Sequence, residues 1–178
     1  MTAFHPKPDI RLILVKRSAN DPKRTRFLNQ IILDGNRIVT SLVTGGCLCG
    51  AVRYEANPRE DSAYYCHCRD CQIGSSSAFT VAVYTDEKDF RITSGDLSTY
   101  SKIADSGRKL DRMFCPSCGT PLAWTGERIP GVVLVSLSSL DDPEAFPPVH
   151  EGWTDRAVSW CRISDEIESF PRRPVRDF

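Results

Sequence analysis

The sequence has no excess of charge of either sign: 23 lysines and arginines balance 23 aspartates and glutamates over 178 residues. That balance excludes a strong field drawing the whole molecule to nucleic acid or an anionic membrane, and it favours a small-molecule partner. Long apolar runs are missing too. Ile10-Arg-Leu-Ile-Leu-Val15 and Val132-Val-Leu-Val135 fall far short of the roughly 20 residues that cross a bilayer, so no membrane partner is expected. The first residues carry Lys7, Asp9 and Arg11 and lack an apolar core and a small-residue cleavage site. No secretory signal is therefore expected, and a cytoplasmic location follows as the expectation. There is no internal repeat, no long amphipathic helical pattern, and no basic stripe interleaved with aromatics of the kind a nucleic-acid binder needs.

What is there is cysteine, eight in all, in short clusters. In a reducing compartment such clusters read as metal ligands or reactive thiols rather than disulfides. They begin only after residue 43. Residues 1–43 carry none, and their basic residues Lys16, Arg17, Lys23, Arg24 and Arg26 outnumber acidic ones. This stretch is expected to be an N-terminal extension, either disordered or absent from the native protein. Its patches Ile10 to Val15 and Ile31 to Val39 have the pattern of a small hairpin, with a solvated tail as the blander reading, and Lys23 to Arg26 reads as a solvated charge run. Residues 44–172 are expected to form one domain, and 173–178 a tail.

Within that domain the pattern has a period of two. Val52, Tyr54 and Ala56 share one face of a strand, with Arg53 and Glu55 on the other. Strands are also expected over Ala78 to Tyr84, Phe90 to Thr93, Leu110 to Phe114, Pro121 to Trp124 and Val132 to Leu137. Turns are expected at Ala56 to Pro58, Ser94 to Asp96, Ser106-Gly107 and Ile129 to Gly131. Leu140 to Phe146 suits a single helical turn, since Asp caps and Pro is tolerated at the first helical position. The fold class expected is mostly β, built of short antiparallel strands.

Three clusters carry the chemistry: Cys47-Leu-Cys49, Cys66-His-Cys68-Arg-Asp-Cys71, and Cys115-Pro-Ser-Cys118. A CxxC followed by glycine is a metal-binding turn that brings two thiolates together, with Gly119 accepting the positive φ. A tetrahedral structural zinc needs four ligands, so a second pair must come from elsewhere, and Cys47 and Cys49 are the natural candidates. Cys66, Cys68 and Cys71 would then leave a coordination position open, as in a catalytic zinc. Spacing alone leaves another partition open, in which the triplet lends two cysteines to Cys115 and Cys118.

The segments Gly45-Gly-Cys-Leu-Cys-Gly-Ala-Val-Arg-Tyr54, Cys66 to Cys71 and Phe114-Cys-Pro-Ser-Cys-Gly-Thr-Pro-Leu122 resemble successive signatures of the glutathione-dependent formaldehyde-activating family, which includes the centromere protein V domain. The resemblance runs on through Arg91 to Gly95 and Ser138 to Pro143 as far as Phe170-Pro171. It implies a β-tent zinc fold with two zinc ions. Cys47, Cys49, Cys115 and Cys118 would hold a structural ion, and Cys66, Cys68 and Cys71 a catalytic one. It also implies a carbon–sulfur lyase type of reaction, in which glutathione adds to formaldehyde to give S-hydroxymethylglutathione. The alternative is a non-catalytic zinc module that binds glutathione or a protein partner. This chain departs from the family pattern after Cys71, where Gln72-Ile73 stand in place of one or two basic residues.

Three thiolates on a divalent zinc leave a net charge of minus one, a poor Lewis acid that suits a soft incoming thiol better than water. Gly74, Ser75, Ser76 and Ser77 are candidates to cradle a substrate carboxylate with backbone N–H groups and hydroxyls, with a plain polar turn as the alternative. His67, between two ligands, is expected to point away from the metal. Cys161 is expected to be a buried apolar cysteine, Trp124, Trp153 and Trp160 to belong to core or rim, and His150 to lie on the surface.

Overall fold

The computed structural model describes residues 42–104 and 107–173. The expectations placed on residues 1–41, including the hairpin and the basic cluster, lie outside the described residues, as do Ser106 and 174–178. The strands are β1 (Val43–Gly46), β2 (Arg53–Pro58), β3 (Tyr64–Cys66), β4 (Thr80–Ser94), β5 (Ser98–Ile103), β6 (Lys109–Phe114), β7 (Pro121–Gly126), β8 (Val132–Ser136), β9 (His150–Gly152) and β10 (Glu168–Phe170), with one helix, α1 (Arg69–Ser75). Val43 opens β1, one residue before the boundary drawn from composition.

The strands join in one sheet of order β10-β9-β3-β4-β8-β7-β6-β5, with β2 on the far half of β4 and β1 on β2. Pairing is antiparallel except for β3–β9 and β9–β10, which are parallel. The mostly-β, largely antiparallel architecture expected from the period of two is therefore what the chain adopts.

Period two works as expected on β2, where Tyr54 and Ala56 are buried and Arg53 and Glu55 half-buried. The turn expected at Ala56 to Pro58 falls later. Pro58 stays in the strand, opposite Thr85, at a register shift, the kind of irregular position where a strand accommodates proline. The strand expected from Ala78 begins at Thr80, and it and Phe90 to Thr93 belong to a single 15-residue strand, β4, which binds β3 and β8 with its first half and β2 with its second. The helical turn expected near Leu140 to Phe146 forms as a 3-10 turn over Pro143–Ala145, with the Asp142 carboxylate accepting from the Glu144 N–H.

The sheet separates two apolar clusters. Val83, Val135, Ala123 and Met113 are successive cross-strand partners on one face, where Val52, Tyr54, Leu122 and Phe146 complete the larger core. One residue along each strand, Tyr84, Leu134, Trp124 and Arg112 form the matching row on the opposite face. There Tyr64, Cys66 and Cys71 join Tyr84, Trp124, Val132 and Leu134. Full burial of a Val or Leu side chain contributes about 1.5–3 kcal/mol, so both faces stabilise the sheet.

Candidate metal centres

The first centre is built by two turns of similar design. After β1 the chain bends through Cys47–Gly50: Cys47 N–H donates to Val52 O and Gly50 N–H to Cys47 O, both at 3.0 Å, and Gly50 has φ 78°. After β6 it bends through Cys115–Gly119: Cys115 N–H donates to Thr120 O at 3.0 Å and Gly119 N–H to Cys115 O at 2.9 Å, with Gly119 at φ 73°. Glycine takes this left-handed conformation without the steric penalty of a Cβ. The Val52 N–H also reaches Cys47 Sγ at 3.2 Å.

These turns bring the sulfurs of Cys47, Cys49, Cys115 and Cys118 within 4.8 Å of one another. Cys47 and Cys49 are 3.5 Å apart, Cys49 and Cys115 3.8 Å. Four sulfurs at the Zn–S bond length of about 2.3 Å on a tetrahedron stand about 3.8 Å apart, so the quartet fits zinc. Its own electrostatics ask for a cation. The Thr120 hydroxyl and backbone N–H hold Cys118 down at about 5. The Ala51 N–H favours the Cys49 thiolate, yet Cys47 and Cys118 push that thiol up to about 12. Four adjacent sulfurs cannot all ionise unless a positive ion lies among them.

The second centre lies where β3 ends and α1 begins. Cys66 closes β3, Cys68 is the residue before the helix, and Cys71 sits in its first turn, with the N–H groups of Cys71 and Gln72 both donating to Cys68 O at 3.0 Å. Their three sulfurs also lie within 4.8 Å of one another. Hydrogen bonds from Cys66 and Cys68, and then the Arg112 guanidinium, hold Cys71 well below the usual thiol range. Contact with Cys68 and Cys71, with burial, drives Cys66 well above it. Among the described residues no fourth cysteine, histidine or carboxylate joins the trio. The partition is thus four and three, and the alternative sharing of the triplet with Cys115 and Cys118 does not occur.

His67 points away from the trio. It is buried, and its Nε2 meets Glu151 Oε2 at 2.8 Å, while Glu151 Oε1 accepts from the Ser169 hydroxyl at 2.6 Å. Gln72 is buried as well. Its amide donates to His67 O and Arg156 O, each at 2.9 Å, and so ties the cysteine turn to the chain that follows β9.

Gly74 to Ser77 forms the end of α1. The Ser75 hydroxyl donates to Cys71 O at 2.7 Å and to Phe79 O at 2.9 Å. Ser76 adopts the left-handed conformation, and the N–H groups of Ser76 and Ser77 cap the helix on Ile73 O and Gln72 O, each at 3.2 Å. His150, expected on the surface, is fully buried and stacks on Tyr64, because β9 is inserted between β3 and β10. Cys161 is half-buried and outside both clusters, beside a largely exposed Trp160. Trp124 is core, and Trp153 packs at the edge of the second cluster.

Sequence reasoning missed Arg112. Its Nη2 lies 4.0 Å from Cys71 Sγ, and its guanidinium stands 5.9 Å from the Trp124 ring centroid. Only the pairing of β6 with β7 places it there.

The fold and the two centres define a mostly-β domain with one complete quartet and one three-membered set of cysteines, both able to hold a metal ion. The chain belongs to the glutathione-dependent formaldehyde-activating enzyme family, whose profile matches residues 42–156. Among solved structures it is similar to the crystal structure of a Rhodobacter sphaeroides protein, at 23% identity and a TM-score of 0.48, over 57% of this chain and 93% of that one. No curated protein matches it.

Proposed function

We propose that this chain is a zinc-dependent enzyme of carbon–sulfur bond chemistry that joins glutathione, or a closely related thiol, to formaldehyde. The observation that carries the reading is the inequality of the two centres: four sulfurs complete a coordination sphere, three do not. Cys47, Cys49, Cys115 and Cys118 hold the structural ion, and Cys66, Cys68 and Cys71 hold the ion that faces substrate. A zinc in the trio, when bound, supplies a position that takes an incoming thiol as its thiolate at neutral pH.

The chain's own residues shape that position. The His67–Glu151 pair and the Gln72 amide fix the turn that carries Cys66, Cys68 and Cys71. Of residues 74–77, Ser76 and Ser77 are exposed, which supports a role for their hydroxyls in meeting a ligand. In the reaction the thiolate sulfur bonds to the carbonyl carbon, the π pair moves to oxygen, and a proton completes the hydroxymethyl group. The protein acts mainly by holding two reactants together, for which effective molarities are large. A reducing compartment such as the cytoplasm suits ligands that must stay reduced.

The test compares adduct formation with the uncatalysed background, alongside metal content. About two zinc ions per chain are expected. Cys68→Ser should lose the ion of the trio and the excess rate while keeping the fold. An excess rate unchanged by Cys68→Ser would overturn the reading.

A further inference from the structure

Arg112 is a cation in contact with the sulfur trio, and its place is built rather than incidental. It sits on β6 between Tyr100 of β5 and Trp124 of β7, in the cross-strand row that crosses the sheet on the trio's side. Gly74 of α1 leaves it room: a Cβ there would lie 2.7 Å from Arg112 Nη1 and 3.1 Å from its Cζ. The guanidinium is thus held against the helix that carries Cys71, with Nη2 4.0 Å from Cys71 Sγ. No carboxylate among the described residues pairs with it, although Lys102, Lys109, Arg53, Arg59, Arg91 and Arg172 each have one.

A half-buried guanidinium with five donors and no carboxylate partner is a site for an anion, and its planar fork matches a carboxylate. We propose that Arg112 is the specificity-determining residue of the trio, binding a carboxylate of the incoming thiol so that carboxylate-bearing thiols are selected over neutral ones. This inference rests on the proposed function and names its substrate class. The side-chain-free position 74 serves the same selection, by keeping the guanidinium in reach.

Two thiols of similar size separate the charge from the sulfur: 3-mercaptopropionate, which carries a carboxylate, and 2-mercaptoethanol, which carries a hydroxyl. Binding is read from the thiolate-to-metal charge-transfer and visible bands of the cobalt(II)-substituted protein at one pH, with no turnover involved. The wild type should prefer mercaptopropionate. Arg112→Gln should cut that preference about 10- to 100-fold, the range of a lost charge-assisted hydrogen bond, and Arg112→Lys should keep part of it. Gly74→Ala retains the arginine but displaces it, and should lower the preference in the same direction. If both thiols weaken equally in Arg112→Gln, leaving the preference as in wild type, Arg112 only balances the charge of the sulfurs and the inference is overturned while the proposed function stands. If neither thiol changes the spectrum of the loaded wild type, the proposed function fails and the inference with it.

Discussion

The hydroxyl oxygen of Thr120 accepts the N–H of Leu48 at 3.2 Å. The same oxygen lies 3.1 Å from Cys118 Sγ, so one side chain links the two turns that form the sulfur quartet, which are otherwise some seventy residues apart in the chain. Leu48 itself is 90% exposed, so packing of its side chain does not hold that turn. Thr120→Val keeps the shape and removes the link. The expected outcome is severalfold faster loss of one zinc to a chromogenic chelator, with the other ion released at the wild-type rate.

The two centres should differ in what they do for stability. Cys115 is fully buried within the larger core, whereas Cys68 is only half-buried at the margin of the smaller cluster. Cys115→Ser should therefore abolish cooperative thermal unfolding, because the lost metal site is also the closure of the core, and structural zinc contributes folding energy outright. Cys68→Ser should leave a single cooperative transition in circular dichroism. Similar losses in both variants would contradict the division of roles.

Glu151 supports the trio from behind. Its carboxylate partners the buried His67 imidazole and the Ser169 hydroxyl, joining the turn after β3 to β9 and β10. Glu151→Ala leaves a buried polar ring without that partner, at a cost of about 1–3 kcal/mol. Urea unfolding of the metal-loaded protein measures it, and Glu151→Gln, which still offers an oxygen, should recover part of the loss.

Acid sensitivity has a local source at Asp141. Its carboxylate pairs with Arg53 of β2, with Nη1 at 2.9 Å from Oδ1, and also accepts from the Thr44 hydroxyl of β1. The Arg53 hydrogen bonds hold Asp141 below the usual value of 3.8. A lowered carboxylate pKa means the pair stabilises the fold above that usual value, and the contribution fades as pH falls through the folded-state pKa. The difference in unfolding midpoint between wild type and Asp141→Asn should thus be constant from pH 7 to about 5 and narrow below about 4. A difference that widens in acid would refute the assignment. Taking the difference removes the loss of thiolate-bound metal, which both proteins share.

Much of the site was legible because its chemistry is local. Cys47 to Gly50 and Cys115 to Gly119 each carry their glycine at the spacing the turn requires, and the Cys66 to Cys71 spacing brings three sulfurs together within one strand end and one helical turn. The alternation of Val52, Tyr54 and Ala56 likewise marks a buried face without knowledge of the partner strand. Strands such as Ser98–Ile103 escaped notice because an edge strand with little burial shows no alternation of apolar residues. The seven residues of α1 are too few to display a helical period, so their end at Gly74 to Ser77 looked like a loop.

Residue spacing by itself determined which sulfurs come in pairs and triplets, since ligand geometry along a short turn depends only on neighbouring residues. Tertiary structure alone decided which pair joins which, that His150 is enclosed between Tyr64 and Phe170, and that Arg112 reaches Cys71. Each of those depends on how separate strands pair, and pairing follows from the shared burial of two faces of one sheet, a property of the whole domain that no short segment contains.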